Sequence, residues 1–274
     1  MNYLENMFSY EGKTVAITGG GGVIAWAMSD AFLKAGAKVA LWDIKLEFAE
    51  SAKQRLLEIP GLEGKAEAIL PVEVDTLSEE SVRKALDTTA AALDGPHILV
   101  NAAGGNRGKS AFVDIDLPLF EDIVRLNLMA GLVVPTKVTT AFWIEKGIKG
   151  NIINMSSMSS YIPLSGVWAY GAAKAAVLNL TMACAKEFAP NGIRVNGIAP
   201  GFFLGKQNKA LLVDEATGDL TPRGKDVIAH TPFGRFGDVS EIAGVTLFLA
   251  SDQAAGFVTG VTVPVDGGYL VHNI

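Results

Sequence analysis

Short β-branched runs take turns with longer amphipathic stretches along almost the whole chain, and that alternation limits its fold more than any single residue does. "KTVAITG", "KVALWD", "KAEAILPVEV", "HILVNAAG", "GNIINMSS", "IRVNGIAPG" and "GVTVPVDGG" read as strands, rich in residues that suit a buried sheet. Helical patterns separate most of them: 25–36 stopping at Gly36, 46–59 ending at Pro60-Gly61, 78–93 with Ser78 as cap, 120–147, 168–188 and 241–252. Strands joined through helices return by crossover, so the sheet is expected to be parallel, doubly wound and covered on both faces. A length of 274 residues suits one such α/β domain, large enough to bury a core without disulfide or metal. No stretch reads as a domain linker or an internal repeat. The single Cys184 excludes an internal disulfide and sits in an Ala-rich helical pattern, as a buried thiol does. The alternation breaks once, over 202–238, and an irregular segment that long is expected to serve as a substrate lid.

Charge narrows the partners. The formal charge is -6 and no basic stripe appears, so nucleic acid is not expected, and an anionic substrate needs a local cationic pocket. The N-terminus lacks a basic stretch followed by an apolar core, and no apolar run is long enough to cross a bilayer. A cytoplasmic protein is the expectation, which makes the sequons at Asn154 and Asn179 chance matches. No His, Cys or carboxylate cluster has metal-ligand spacing, and no G-x-S-x-G turn is present.

Four glycines, Gly19 to Gly22, lie between the first strand and the first long helix. Read from Gly20, "GGGVIA" is G-x-G-x-x-A, with Gly20 for a tight turn, Gly22 for close approach to a pyrophosphate and Ala25 for helix–sheet packing. The helix start at Val23 and Ile24 then offers unpaired N–H groups to phosphate. Asp43 closes the second strand, 18 positions beyond Ala25, where a carboxylate accepts from a ribose 2′-hydroxyl and repels a 2′-phosphate. That favours NAD over NADP, although a strand-end Asp is also an ordinary solvated residue. Tyr170 and Lys174 are four apart and share one helix face. An ammonium beside a phenol favours the phenolate and lowers its pKa from about 10. With a serine hydroxyl from the preceding strand end, the pair makes an acid/base device for a carbonyl or an alcohol.

The chain resembles the short-chain dehydrogenase/reductase family from about Gly12 to Tyr269. The resemblance is carried, in order, by Asn101–Gly104 ("NAAG"), Asn127 in "RLNLMAG", Ser157, Tyr170 with Lys174, "RVNGIAPG" and "VTGVTVPVDGG". It implies a Rossmann-like, single-domain fold and an acid/base tetrad. Tyr170 would exchange the proton, Lys174 would lower its pKa and bind the nicotinamide ribose, Ser157 would polarise the substrate oxygen, and Asn127 would hold a relay water. It also implies that Asn101, Ala102, Ala103 and Gly104 line the cofactor, with Pro200, Gly201 and Phe203 flanking the nicotinamide. Glu73 and Val74 match an Asp-Val contact to adenine, with Glu as a departure. A usual T-G-x-x-x-G-x-G loop would put glycines at Val23 and Ala25, so Gly22 stands one position early.

Within that family, "TGGGGVIA", "NAAGGN", "INMSSM", "APGFFLGKQNKALL", "AHTPFGRFG" and "VTVPVDGG" are similar to the D-mannonate oxidoreductase (fructuronate reductase) branch. That implies NAD(H)-linked interconversion of D-fructuronate and D-mannonate. Gly205 and Gly171 depart from the hydroxyl residues expected there. Gly105, Asn106, Arg107, Lys109, Phe202, Lys206, Gln207, Asn208 and Lys209 gather donors for a sugar acid, with His230 as a further candidate. A gluconate-type keto acid, a polyol or a 3-oxoacyl thioester keeps the same chemistry. A non-catalytic NAD-binding scaffold is the reading from another class, and it has no use for the tetrad. The family commonly forms dimers or tetramers through helices corresponding to 116–146 and 168–188, which would make this chain a homodimer or homotetramer.

Overall fold

Successive residues of each central strand fall into two separate buried layers, which is what a sheet covered on both faces requires. The computed structural model describes residues 2–164, 166–204, 212–214 and 217–272. Its elements run α1 Tyr3–Met7, β1 Thr14–Thr18, α2 Val23–Lys34, β2 Lys38–Asp43, α3 Leu46–Leu57, β3 Ile69–Glu73, α4 Glu79–Leu93 and β4 Ile98–Asn101. They continue with α5 Leu117–Val124, α6 Val134–Lys146, β5 Asn151–Met155, α7 Trp168–Phe188, β6 Arg194–Pro200, α8 Pro222–Ala229, α9 Ile242–Ala250 and β7 Thr262–Val265. The strands form one parallel sheet in the order β3-β2-β1-β4-β5-β6-β7. Val15, Ile17, Val39, Leu41, Ile98 and Val100 pack with Met28, Phe32, Leu56 and Leu249 on one face. Ala16, Ala40, Trp42, Leu99 and Ile152 pack with Leu86, Val138, Phe142 and Trp143 on the other. The strand order reverses between β1 and β4, and the crevice outside their carboxyl ends is where ligands sit in such sheets.

Buried polar groups tie the sheet to its helices. Asn101 donates to Asn154 Oδ1 at 2.8 Å and to Thr136 Oγ1 at 2.9 Å, and Asn154 donates to Thr181 Oγ1 at 3.0 Å. Arg194, buried at the start of β6, donates to the carbonyls of Leu249, Ala250 and Ser251 and to Asp252. Three sequence expectations are corrected. Residues 66–68 form a 3-10 turn, so the third strand begins only at Ile69. The helix expected over 120–147 starts at Leu117 and is π-wound from Arg125 to Val133. The irregular stretch 202–238 contains helix α8, capped by Thr221.

Helix α9 holds Gly244, exposed, where an added methyl group would meet nothing within 4 Å. Gly244→Ala is therefore expected to stabilise the protein by about 0.5–1 kcal/mol, a rise of about 1–4 °C in Tm by calorimetry. At the amino end of β4, His97 Nδ1 accepts from the Thr14 amide at 3.1 Å, while burial and nearby Lys13 hold its pKa below the ordinary histidine value. The unfolded chain thus takes the proton first, so stability is complete above about pH 6.5 and is lost as pH falls toward the folded pKa. His97→Gln should flatten the acid side of the denaturation midpoint against pH, and an unchanged curve would assign that slope to other groups.

Candidate active site

A cleft of about 890 Å³ runs along the carboxyl ends of the strands, from Asp43 and Val74 at one end to Ser157 and Tyr170 at the other. At its Asp43 end the chain must leave β1 and turn at once into α2. Gly19 makes that turn with φ +64°, and a Cβ there would stand 3.0 Å from Ala103 Cα. Gly20 donates to the Trp42 carbonyl at 3.0 Å and packs on Leu41 instead of turning. Gly22 is the N-cap of α2, and its N–H is consumed by the Gly19 carbonyl at 2.9 Å. Gly22 lines the cleft, and so do Val23 and Ile24, whose amides begin the helix. The shifted glycine register is explained by this arrangement: Gly22 closes the turn, and Val23 needs no glycine because it is already helical.

Asp43, only 8% exposed, accepts from the Gly21 amide at 2.9 Å and the Lys45 amide at 3.4 Å. A side chain at Gly21 would come within 2.7 Å of Phe48 Cβ, so the close approach of the loop to α3 admits only hydrogen there. Glu73 is exposed and outside the cleft lining, whereas buried Val74 lines it, its amide on the Asp43 carbonyl at 2.7 Å. Asp75, Thr76, Leu77, Ile44 and Phe48 complete this end. Sequence reasoning missed them. No motif marks them: the exposure of apolar Ile44 (58%) and Phe48 (47%) beside a polar strand end is visible only once the chain is folded.

At the chemical end, α7 places Tyr170 and Lys174 on its cleft face. Lys174 Nζ donates to the Met155 carbonyl at 2.7 Å and lies 5.7 Å from the centre of the Tyr170 ring. Burial lowers its pKa to about 8. Burial also raises the phenol of Tyr170, with a hydrogen bond from the Ser157 hydroxyl acting in the opposite sense. The expected lowering of Tyr170 is thus corrected: desolvation raises the phenol and outweighs the opposing Ser157 hydrogen bond. Ser157, at the end of β5, also accepts from the Ser159 amide at 3.1 Å. Asn127 is fully buried in the π-wound turn and clamps Gly105, accepting from its N–H at 3.0 Å and donating to its carbonyl at 2.7 Å. Its side chain sets the course of the loop and lies outside the lining. Asn101 lies behind the cleft in the buried Asn154–Thr181 chain, while Ala102, Ala103 and Gly104 do line it.

Pro200, Gly201 and Phe203 line the far wall, and Phe203 pairs across to Gly237. Phe202 turns away and stacks edge-on against Tyr269 at 5.4 Å. Gly105, Asn106 and Arg107 form the mouth, although Asn106 spends its amide on the Gly108 carbonyl at 3.1 Å. Lys109 lays its stem beside Gly166, and His230 sits 5.2 Å from His272, outside the lining. Lys206, Gln207, Asn208, Lys209 and Gly205 lie outside the described residues, as Gly171 does not: its α7 position leaves a methyl 3.9 Å from the Ser159 carbonyl. Among the described residues no His, Cys or carboxylate group is arranged to hold a metal, and no helix is long and apolar enough to cross a membrane.

These residues fit a nicotinamide dinucleotide: a glycine turn that side chains would block, open amides at a helix start, a carboxylate at the second strand end, and a cleft long enough for both halves. A family model described as enoyl-(acyl carrier protein) reductase matches residues 21–270. The chain belongs to the short-chain dehydrogenase/reductase family. It is similar to an uncharacterised oxidoreductase, UxuB, of Bacillus subtilis, with 39% identity over 96% of each chain. A structure from Haemophilus influenzae, provisionally assigned as a D-mannonate oxidoreductase and holding NAD, superposes with a TM-score of 0.87 at 33% identity over 99% of both chains. A gluconate 5-dehydrogenase from Burkholderia cenocepacia, in complex with NADP and tartrate, gives 0.86 at 30% identity over 98% of this chain and 99% of that one. This short-chain dehydrogenase/reductase is accordingly an NAD(P)-dependent oxidoreductase of small molecules. The Rossmann-like fold expected from strand–helix alternation is the one its relatives share.

Proposed function

We propose that the enzyme is an NAD(H)-dependent oxidoreductase of a sugar acid, interconverting the ketone of D-fructuronate and the secondary alcohol of D-mannonate. The observation that carries this reading is Arg107. It stands at the cleft mouth, exposed, two residues beyond the Gly105 that Asn127 clamps, with no ion pair among the described residues. In a chain of charge -6 a free guanidinium beside the chemical end suits a substrate carboxylate, which it can hold through two parallel hydrogen bonds. In the reducing direction Ser157 Oγ donates to the substrate carbonyl, Tyr170 Oη gives up its proton to that oxygen, and the Lys174 ammonium stabilises the resulting phenolate. The bound nicotinamide supplies the hydride, or accepts it in oxidation. Asp43 favours NAD, through the ribose hydroxyl its carboxylate can accept from. The segment 202–238 serves as the lid over the substrate end, and the chain works as a homodimer or homotetramer in the cytoplasm.

The likeness to a gluconate 5-dehydrogenase supports a second reading, in which a gluconate-type keto acid takes the same place. A panel of ketones assayed with NADH separates the two. Fructuronate should give a kcat/KM at least about tenfold above 5-ketogluconate and uncharged ketoses. Arg107→Ala should raise KM for the favoured acid by about ten- to a hundredfold, from loss of about 1.5–3 kcal/mol of charged hydrogen bonding, with kcat little changed. Equal rates across the panel would end the fructuronate assignment. An Arg107→Ala enzyme with unaltered KM would end the carboxylate role.

A further inference from the structure

A second cavity, of about 260 Å³, lies at the opposite edge of the sheet from the coenzyme cleft. Lys13, His97 and Asn151 bring it to the amino ends of β1, β4 and β5, and the segment before β1 and the Ala250–Gln253 turn after α9 close it. Fold logic places ligands at carboxyl ends, so nothing in the coenzyme chemistry accounts for this pocket. Its lining is half polar, half apolar, and carries one positive charge in excess, from Lys13 and Lys149 against Asp252. Asp252 is already engaged by Lys13 at 3.3 Å and Arg194 at 3.2 Å, while Lys149, whose stem crosses Gly192, has no ion partner among the described residues. Asn151 is 2% exposed and donates its amide to the Leu249 carbonyl at 3.0 Å, which fixes this wall of the cavity. His97 accepts at Nδ1 from Thr14, which leaves the proton of the neutral ring on Nε2 as a further donor.

We propose that this cavity is a binding site for a small oxyanion, a carboxylate or hydrogen phosphate. The anionic oxygens take Lys149 and His97 Nε2. The size, just below the usual lower bound of about 300 Å³ for small-molecule sites, admits a compact ion and excludes a nucleotide. Because the occupant bridges the N-terminal segment to three strands, binding stabilises the folded chain in proportion to its occupancy.

The three histidines make the test direct, since His230 and His272 sit together near Tyr269, away from this cavity. Inorganic phosphate and lactate are each titrated into the full chain at constant ionic strength and constant pH, with chloride as the control, while the ring resonances of all three histidines are followed by NMR. The His97 resonance should move saturably with phosphate, lactate or both, and not with chloride; which ion binds identifies the source of the oxyanion. Lys149→Gln, an exposed substitution that leaves the core intact, should raise the midpoint about tenfold, the equivalent of about 1.4 kcal/mol. A His97 resonance that follows chloride as well as the oxyanions, that does not saturate, or that responds identically in Lys149→Gln overturns the site.

Discussion

Tyr170→Phe removes turnover, lowering kcat by about 10²–10⁴, the range by which positioned proton transfer accelerates a reaction. The reduced coenzyme should still bind, with the affinity read by quenching of the protein's fluorescence. Only the hydroxyl is lost, and the ring, half-buried on α7 with Lys174 Nζ 5.7 Å from its centre, keeps its packing. The magnitude rests on where the proton can come from. Desolvation holds the phenol above its ordinary pKa, so at neutral pH the hydroxyl is protonated and ready to donate in reduction. Ser157 opposes that shift by hydrogen-bonding the charged form, the state Tyr170 enters as the proton leaves. Lys174 cannot replace it: its ammonium is directed at the Met155 carbonyl. Retained kcat in Tyr170→Phe would transfer the proton step to another group and undo the assignment. Retained protein fold with lost coenzyme affinity would instead make Tyr170 a binding residue.

The layered fold was readable because its cause is local. Val15, Ala16 and Ile17 already alternate in sequence between the two faces they occupy in the sheet, and α7 runs over the stretch 168–188 expected of it. The pair Tyr170 and Lys174 was readable for the same reason, since a spacing of four fixes a shared helix face. What could not be read depends on distant partners. The π-wound turn at 125–133 exists where Asn127 reaches Gly105 and where a Cβ added at Gly131 would stand 2.8 Å from the Ala103 carbonyl oxygen, contacts between separate elements. Asn101 belongs to a motif that suggests cofactor contact, but its neighbours Thr136 and Asn154 draw its side chain inward. The electrostatic balance at Tyr170 follows from burial, which spacing does not report. The cavity beneath β1, β4 and β5 assembles four separated stretches of chain, none of which carries a motif.

Asp43→Asn should move coenzyme preference from NAD toward NADP by roughly a hundredfold in the ratio of kcat/KM values. A carboxylate and a 2′-phosphate held about 6 Å apart repel by about 2.8 kcal/mol at an effective dielectric of about 20, and that energy is a factor of about a hundred. Asparagine is the informative replacement because Asp43 has two duties. Its Oδ2 accepts from the Gly21 amide at 2.9 Å, and that bond holds the glycine turn against α3, where any side chain at Gly21 would strike Phe48. The carboxamide keeps an acceptor for Gly21 and loses only the charge. Asp43→Ala loses both and leaves the Gly21 N–H unpaired, at a cost of about 1–3 kcal/mol, so it should weaken both coenzymes as well as shifting their ratio. The pair of variants therefore separates selection from loop support. Steady-state kinetics with both coenzymes, beside thermal midpoints, give the two readouts. An unchanged ratio in Asp43→Asn would mean that the carboxylate serves the loop alone and that coenzyme choice lies elsewhere. A shifted ratio with an unchanged midpoint would assign the choice to the charge of this one residue.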